Sequence, residues 1–564
     1  MPAPDSHGFG HLEVDWDAEP VPNLAQFDDY QDARENFEWS IPETFNIATD
    51  VVTEHADKRG RVAMFQEIEG EPARTHTFWQ LDRRSNELAN ALDERGVGKG
   101  DRVAIIGSRS DHVMNTHLAA WKLGAISIPL SVLYGPDGLE FRLSNSDPSV
   151  VFVDADRTDT VEQVLADVPS IETVVMYGDE APDFDGVESV TFDSFGGKPT
   201  FDAVETKPDD PAFILYTSGT TGTPKGVVQD HQTLIGWLPG FQMCFELPWH
   251  DTTHLLYATP DLAWIGGINL VLGSWHYGAP VLRYDSDTGF DPATILENID
   301  KWGPTRAVLV PGMLKPMSQL DASEYDLSTL EVVMSGSEPV SEHLYEYVTE
   351  TLGANLNEMY GQTEALHLVT SCSQWFDADP GSLGYPVPGH DVAIVDEDGE
   401  REPQGETGII GLRKPDPAMF REIWNDGDAT DQKFVGDWMN TDDLGYEDEG
   451  GQLWFKSRAD NLILTRGYRV GPAEVEDSVL EVAGVANVGV IGAEAPDHQG
   501  EIVKAFVEVE DGVDAHDDLK DTIQRHVKDN LAKYQYPRQI EFVDNIPTTV
   551  TGKVQRHELE EMEE

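Results

Sequence analysis

Positive charge is scarce in this chain. Only 38 of its 564 residues are lysine or arginine, against 104 aspartates and glutamates, which leaves a formal net charge of −66. A surface of that sign repels a phosphate backbone, so no nucleic acid is expected as a partner. Cysteine is nearly missing as well. Cys244 and Cys372 lie far apart in sequence, which leaves neither a disulfide framework nor a CxxC metal motif to argue from; two ordinary buried thiols are expected. No run of about 18 apolar residues occurs, and the opening MPAPDSHGFG has neither a basic n-region nor an apolar h-region. A soluble, cytoplasmic protein with no membrane partner is the expectation.

High net charge is also the usual mark of disorder. Here 39% of residues are hydrophobic, with 13 Trp and 22 Phe, and the acids are scattered between apolar segments, so a folded body is expected. The charge then points to a host cytosol near molar salt. There the screening length shrinks to roughly 3 Å and self-repulsion is damped while the acidic surface stays hydrated.

At this length two or more domains are expected. Residues 1–45 are polar, acidic and proline-rich, and are read as an extension draped over the body with little regular structure. Thr77 with Gln80 fits a capping box opening a helix with Leu81, Leu88 and Leu92 on one face and Gly96 at its end. Apolar strands follow at DRVAIIG (101–107), SVVFVDA (149–155), ETVVMYG (172–178), FILYT (213–217), RAVLVPG (306–312) and LEVVMSG (330–336), with helical stretches between several of them. Alternation of this kind predicts α/β layers: a large N-terminal domain over 46–459, built of two parallel-rich sheets flanked by helices. After about residue 385 short strands and turns predict a small β-rich subdomain over 385–456. Beyond a boundary near 456–462 another short αβ pattern predicts a small α+β domain over 460–564.

The stretch YTSGTTGTPKGV, residues 216–227, follows the apolar PAFIL and is read as a loop leaving the end of a buried strand. Its residues Thr217, Ser218, Gly219, Thr220, Thr221, Gly222 and Thr223, with Lys225, offer backbone N–H groups, hydroxyls and one cation to a polyphosphate. A surface turn is the competing reading of the same spacing. The pattern fails the GxxxxGK[ST] form, since Lys225 is followed by Gly226 and has no hydroxyl residue beside it.

The whole string resembles the signature of the adenylate-forming superfamily: acyl-CoA synthetases, aryl-CoA ligases, luciferases and peptide-synthetase adenylation domains. Further strings follow in that superfamily's order: SGSEP (335–339), EMYGQTE (358–364), GSLGYPVPG (381–389), MNTDDLG (439–445), SRADNLILTRGYRVGPAEVE (457–476), LAKYQYPRQI (531–540) and PTTVTGKVQR (547–556). The resemblance spans at least residues 211–556. It implies activation of a carboxylate by attack on the α-phosphate of ATP, release of diphosphate, and transfer of the acyl group from AMP to a thiol, with Mg2+ as cofactor and ATP and CoA as co-substrates.

The resemblance also assigns roles. Lys553 matches the lysine that reaches the carboxylate and the α-phosphate, a task suited to a mobile point charge. Glu364 matches the magnesium ligand and Thr363 a hydroxyl contact to the α-phosphate, an oxygen-only donor set apt for a hard cation. Tyr360 matches the residue that stacks on adenine, framed by Glu358, Met359, Gly361 and Gln362 on one string and by Gly336, Ser337, Glu338 and Pro339 on the other. Asp443 matches the aspartate that accepts both ribose hydroxyls. Arg458 and Arg469 match nucleotide contacts, Asp460 the hinge of a mobile C-terminal domain, and Gly467 the border of the CoA tunnel.

Two positions depart from the pattern, Asp442 and Ser457, which stand where the family has glycine. Asp442 puts the local turn in doubt more than the ribose contact.

For the acyl group, Trp264, Ile265 and Gly266 resemble the pocket segment, and Gly361 stands where acetate-activating relatives carry a pocket-closing tryptophan. Two glycines facing a pocket predict an acid larger than acetate: medium-chain, branched or aryl. Refilling by Met313 or His367 is the competing expectation. An acetyl- or propionyl-CoA synthetase, an enzyme that loads a carrier protein, and a nucleotide-binding protein without ligase activity are the alternatives. With eleven residues after Lys553 no fused carrier is expected, while a separate one stays open.

Overall fold

The computed structural model describes residues 24–217, 224–246, 254–286, 289–376, 378–458, 463–465, 468–494, 501–509, 512–513, 516–531, 534–548 and 554–563. Two large sheets form the body. In one, the strands run in the order Glu422–Ile423, Lys225–Asp230, Pro211–Thr217, Ile126–Leu130, Arg102–Ile106, Val150–Asp154, Thr173–Tyr177 and Glu188–Thr191. It is parallel except where Pro211–Thr217, Lys225–Asp230 and Glu422–Ile423 pair antiparallel at one side. The other has nine strands, with a parallel centre that includes Arg306–Val308, Val332–Gly336 and Asn355–Gln362 and antiparallel edges. Strands covered on both faces carry unbroken apolar runs, which is why each predicted segment lands on a strand, fully buried at Val150–Asp154, Thr173–Tyr177 and Val332–Gly336.

One continuous core takes side chains from both sheets and from the helices Ser110–Lys122, Thr233–Cys244 and Ile265–His276. The helix Phe78–Asp93 opens with the capping box of Thr77 and Gln80. It buries Phe78, Leu81, Leu88 and Leu92 in that core, each such side chain contributing about 1.5–3 kcal/mol. Gly96 follows at φ 84°, the left-handed backbone that stops a helix.

A five-stranded antiparallel sheet built on Val392–Val395, Gly408–Arg413, Phe434–Val435, Trp438–Glu447 and Leu453–Arg458 accounts for the change of texture after residue 385. The strands Val485–Glu494, Glu501–Val509 and Gln539–Phe542 form a smaller sheet with its own apolar cluster, joined by the helices Pro472–Leu480 and Asp517–Asn530. The chain is therefore a mixed α/β fold with a larger N-terminal part and a smaller C-terminal one.

The N-terminal extension holds more regular structure than its composition suggests. Asp29 caps a helix, Tyr30–Asn36, by accepting from the Asp32 amide at 2.9 Å. Tyr30 packs on Trp375, Phe376 and Tyr385 and donates to the Pro386 carbonyl at 2.8 Å. Arg34 and Trp39 donate to the carbonyls of His390 and Gly389. Among the described residues no helix is long and apolar enough to cross a membrane. Cys244 and Cys372 are both buried free thiols.

Candidate active site

A hairpin makes the centre of the site. The strand Asn355–Gln362 turns through Thr363 and Glu364 into Ala365–Thr370, with Gln362 opposite Ala365. Three neighbours hold the turn. Gln229 donates to the Thr363 carbonyl at 2.5 Å, the Phe420 amide donates to the Glu364 carbonyl at 2.6 Å, and Gln362 donates to the Thr441 carbonyl at 2.8 Å. The buried Tyr360 hydroxyl donates to Asp443 Oδ2 at 2.8 Å. Asp443 in turn lies opposite Arg458 across two antiparallel strands, with Oδ1 3.7 Å from the guanidinium. Residues more than eighty positions apart thus converge on one place.

The predicted loop leaves a strand end as expected. Thr217 is the last residue of its strand and pairs with Lys225, where the chain returns. Lys225 begins the strand whose Gln229 grips the hairpin turn, four residues or about 13 Å along. Ser218, Gly219, Thr220, Thr221, Gly222, Thr223, Asp460, Gly467 and Lys553 lie outside the described residues. Arg469 lies on the strand Tyr468–Val470, its backbone paired with Leu464.

Gly336 ends its strand against the neighbouring one so closely that a Cβ would come 2.6 Å from the Met359 carbonyl oxygen. Ser337 then turns at φ 70°, leading into Glu338 and Pro339. Glu358 is buried and accepts from the amides of Val340 at 3.3 Å and Gly381 at 3.1 Å. Burial pushes its carboxyl up to about 8, against the pull of those two amides. The folded state therefore holds a proton that the unfolded chain gives up near pH 4.5. Its contribution is complete below that pH and is lost as pH rises through about 8. At fixed salt the thermal midpoint of the native chain should fall across that window by the equivalent of a few kcal/mol, and a Glu358→Gln variant should flatten the slope.

Among the described residues, Lys433 and Arg458 bring positive charge to the site. Lys433 Nζ stands 3.1 Å from Glu364 Oε1 and 2.8 Å from Asp442 Oδ2. Burial works against its charge, but the Glu364 carboxylate, seconded by Asp442, outweighs that and raises its pKa. Asp442 adopts φ 61°, the left-handed backbone for which the family pattern uses glycine, and its amide donates to Asn440 Oδ1. The turn is therefore kept, since aspartate tolerates this region better than most side chains. Ser457 is buried as well, and its hydroxyl finds no hydrogen-bond partner among the described residues.

A divalent metal fits this hairpin turn. Glu364 is a hard oxygen donor, only 8% exposed, that already draws a cation to itself, and Thr363 stands beside it. No cluster of three or more His, Cys, Asp or Glu is found among the described residues that could form a complete protein cage. The remaining ligands would come from phosphates and water, as is usual for Mg2+.

Of the two glycines expected to open the acyl pocket, Gly361 does not. A Cβ on Gly361 would lie 2.8 Å from both the Leu366 Cα and the His367 amide nitrogen. Gly361 is a glycine because the hairpin partner approaches it, and its missing side chain opens no pocket volume. Gly266, in contrast, has nothing within 4 Å of a Cβ position. It sits in the first turn of the helix Ile265–His276, which begins after Trp264.

His367 is fully buried against Gly240 and Phe241, with Nε2 2.8 Å from Asn269 Oδ1, while Met313 packs in a separate core cluster. Burial lowers the His367 pKa to about 3, which keeps its imidazole neutral. Sequence reasoning missed Lys433 and the Tyr360–Asp443 bond. The lysine carried no motif, and the bond joins residues of different sheets.

The AMP-binding enzyme family model matches residues 52–424, and the model of the AMP-binding enzyme C-terminal domain matches residues 474–553. The chain is 31% identical to an acetyl-coenzyme A synthetase of Bacillus subtilis (strain 168), over 95% of each chain. It is also 31% identical to the mitochondrial acyl-coenzyme A synthetase ACSM3 of Mus musculus, over 95% of this chain and 94% of that one. Among solved structures it is similar to the anthranilate CoA ligase AuaEII in complex with anthranoyl-AMP. The TM-score is 0.83 and the identity 26%, covering 93% of this chain and 98% of the other. With family models matched across the body and the C-terminal part, and with relatives aligned over nearly its whole length, the chain belongs to the AMP-binding enzyme family of adenylate-forming acyl-CoA synthetases.

Proposed function

We propose that the chain converts a carboxylic acid, ATP and CoA into acyl-CoA, AMP and diphosphate through an acyl-adenylate. The observation that supports this most is the convergence of Tyr360, Asp443 and Arg458 beside the Thr363–Glu364 turn. That grouping offers an aromatic face and a carboxylate acceptor next to an acidic turn, which suits adenosine on one side and metal-bound phosphates on the other.

In this reading a carboxylate oxygen attacks the α-phosphorus and the bond to the β-phosphate oxygen breaks. The thiol of CoA then attacks the acyl carbonyl, and AMP departs. Such chemistry needs charge stabilisation more than a protein nucleophile. Asp443 would accept the ribose hydroxyls, with Tyr360 against adenine and Glu338 and Pro339 at its edge. Arg458 and Arg469 would face the nucleotide. The loop 217–225 would grip the outer phosphates, and Lys553 would bridge the attacking carboxylate and the α-phosphate. Bound Mg2+ would neutralise phosphate charge, held by Glu364 with Thr363 alongside. Asp460 and Gly467 would serve the domain swing and the thiol tunnel, with the C-terminal domain moving as a unit from about residue 460.

The acid we infer is larger than acetate, on the open space at Gly266 alone. A panel of acetate, butyrate, octanoate and benzoate, assayed with free CoA as the sole thiol, tests both levels. Each added methylene that fits should improve binding by about 0.8 kcal/mol. Preference for acetate would remove the larger-acid reading. Acyl-adenylate formation without thioester formation would turn the assignment toward a carrier-loading enzyme, and the absence of both toward a nucleotide-binding protein.

A further inference from the structure

The ion pair on Glu364 gives the departure at Asp442 a purpose. Lys433 is fixed close to the turn by its own backbone. Its carbonyl accepts from the Asn440 amide at 2.7 Å, and its neighbour Phe434 stacks parallel on Phe420, the residue whose amide holds the Glu364 carbonyl. Its ammonium therefore always has Glu364 within reach. Glu364 is nearly buried, and a bare carboxylate there would be costly, so the lysine supplies the missing charge in the ligand-free chain.

A divalent cation on the same carboxylate would repel the ammonium. Asp442 is the alternative seat. It already shares Lys433 at 2.8 Å, and its side chain is 37% exposed where that of Glu364 is 10% exposed. A glycine at 442 would provide the turn but no seat.

We propose that Lys433 is a positioning residue, a tethered cation that holds Glu364 before the metal arrives and retires onto Asp442 when it does. This rests on the reading of Glu364 as the metal ligand. Metal affinity is then set by the fraction of chains in which Glu364 is released, and Asp442 raises that fraction.

The test is binding of Mn2+ to the full-length protein without nucleotide, followed by electron paramagnetic resonance at constant high salt. Lys433→Met removes the competitor; if Glu364 is free in about a tenth of native chains, affinity should rise roughly tenfold. Asp442→Asn keeps a side chain tolerant of the left-handed backbone and removes the seat. It should lower affinity several-fold, and the double variant should behave like Lys433→Met.

A merely structural ion pair would weaken metal binding in both single variants, together with thermal stability, and that result would overturn the proposal. Unchanged Mn2+ affinity in Lys433→Met would also overturn it. Adding Glu364→Gln to Lys433→Met separates the two levels. Loss of Mn2+ binding there supports the ligand assignment, whereas persistence shows that Glu364 is not the ligand, whatever Lys433 does.

Discussion

Lys553→Ala should abolish carboxylate-dependent exchange between diphosphate and ATP, a loss of at least about 10²–10³-fold, the scale seen when one preorganised donor to a developing charge is removed. The reaction brings a carboxylate up to a phosphate, so two anions meet. The chain has only 38 basic residues to place against 104 acids, so a lost cation is not easily replaced by a neighbour.

The substitution should leave the fold untouched, because the segment is fastened on either side of it. Thr548 bridges Val554, the Gln555 amide donates to the Pro547 carbonyl at 2.9 Å, and Arg556 makes two contacts to Glu476 at 2.6 and 2.7 Å. The second half-reaction distinguishes a lost adenylation lysine from general damage. Acyl-adenylate supplied ready-made should still give acyl-CoA with the variant, measured as thioester formed per enzyme. Exchange at the native rate would remove Lys553 from the mechanism, and loss of both half-reactions would point to misfolding.

The sequence was most legible where one local rule governs the structure. The capping box at Thr77 and Gln80, the left-handed Gly96 and the apolar strands were all readable, because each depends on neighbours within a turn or on burial of both strand faces. It was less legible where the answer lies across the fold. Gly361 looked like an opening in a pocket and is a point of close approach, which only the position of Leu366 and His367 on the facing strand reveals.

Asp442 looked like a flaw in a turn. Its backbone angle shows the turn intact, and its carboxylate belongs to a lysine nine residues earlier that no motif singles out. The helix Tyr30–Asn36 was hidden by acidic, proline-rich surroundings. The signal was there in Asp29, a capping residue three positions before Asp32, and in the aromatic side chains Tyr30 and Trp39 that anchor the segment.

Dialysis from about 2 M KCl to about 0.1 M should unfold the chain and end its activity, because the screening length grows from a few ångströms to about 10 Å. If every lysine and arginine took one carboxylate, 66 acids would still have no cation of their own. The structure shows how thinly the positive charge is spread. Lys504 serves both Glu541 and Glu563, and Lys433 serves both Glu364 and Asp442. Across residues 396–402 the sequence sets Asp396, Glu397, Asp398, Glu400 and Glu402 beside one cation, Arg401, which itself pairs with Asp391.

Asp230 takes this to its limit. It is buried with Arg421 only as near as 3.7 Å, and burial, reinforced by Asp209, Asp210 and Glu422, drives its pKa well above the carboxylate range. Exposed pairs contribute little individually, so no single substitution should rescue the fold at low salt; the repulsion is collective and only screening relieves it. The near-ultraviolet circular dichroism of the 13 tryptophans, followed together with activity through the salt series, reads the transition directly. Full retention of both at about 0.1 M would show that the acidic surface is tolerated without salt, and the reading of a high-salt host would fall with it.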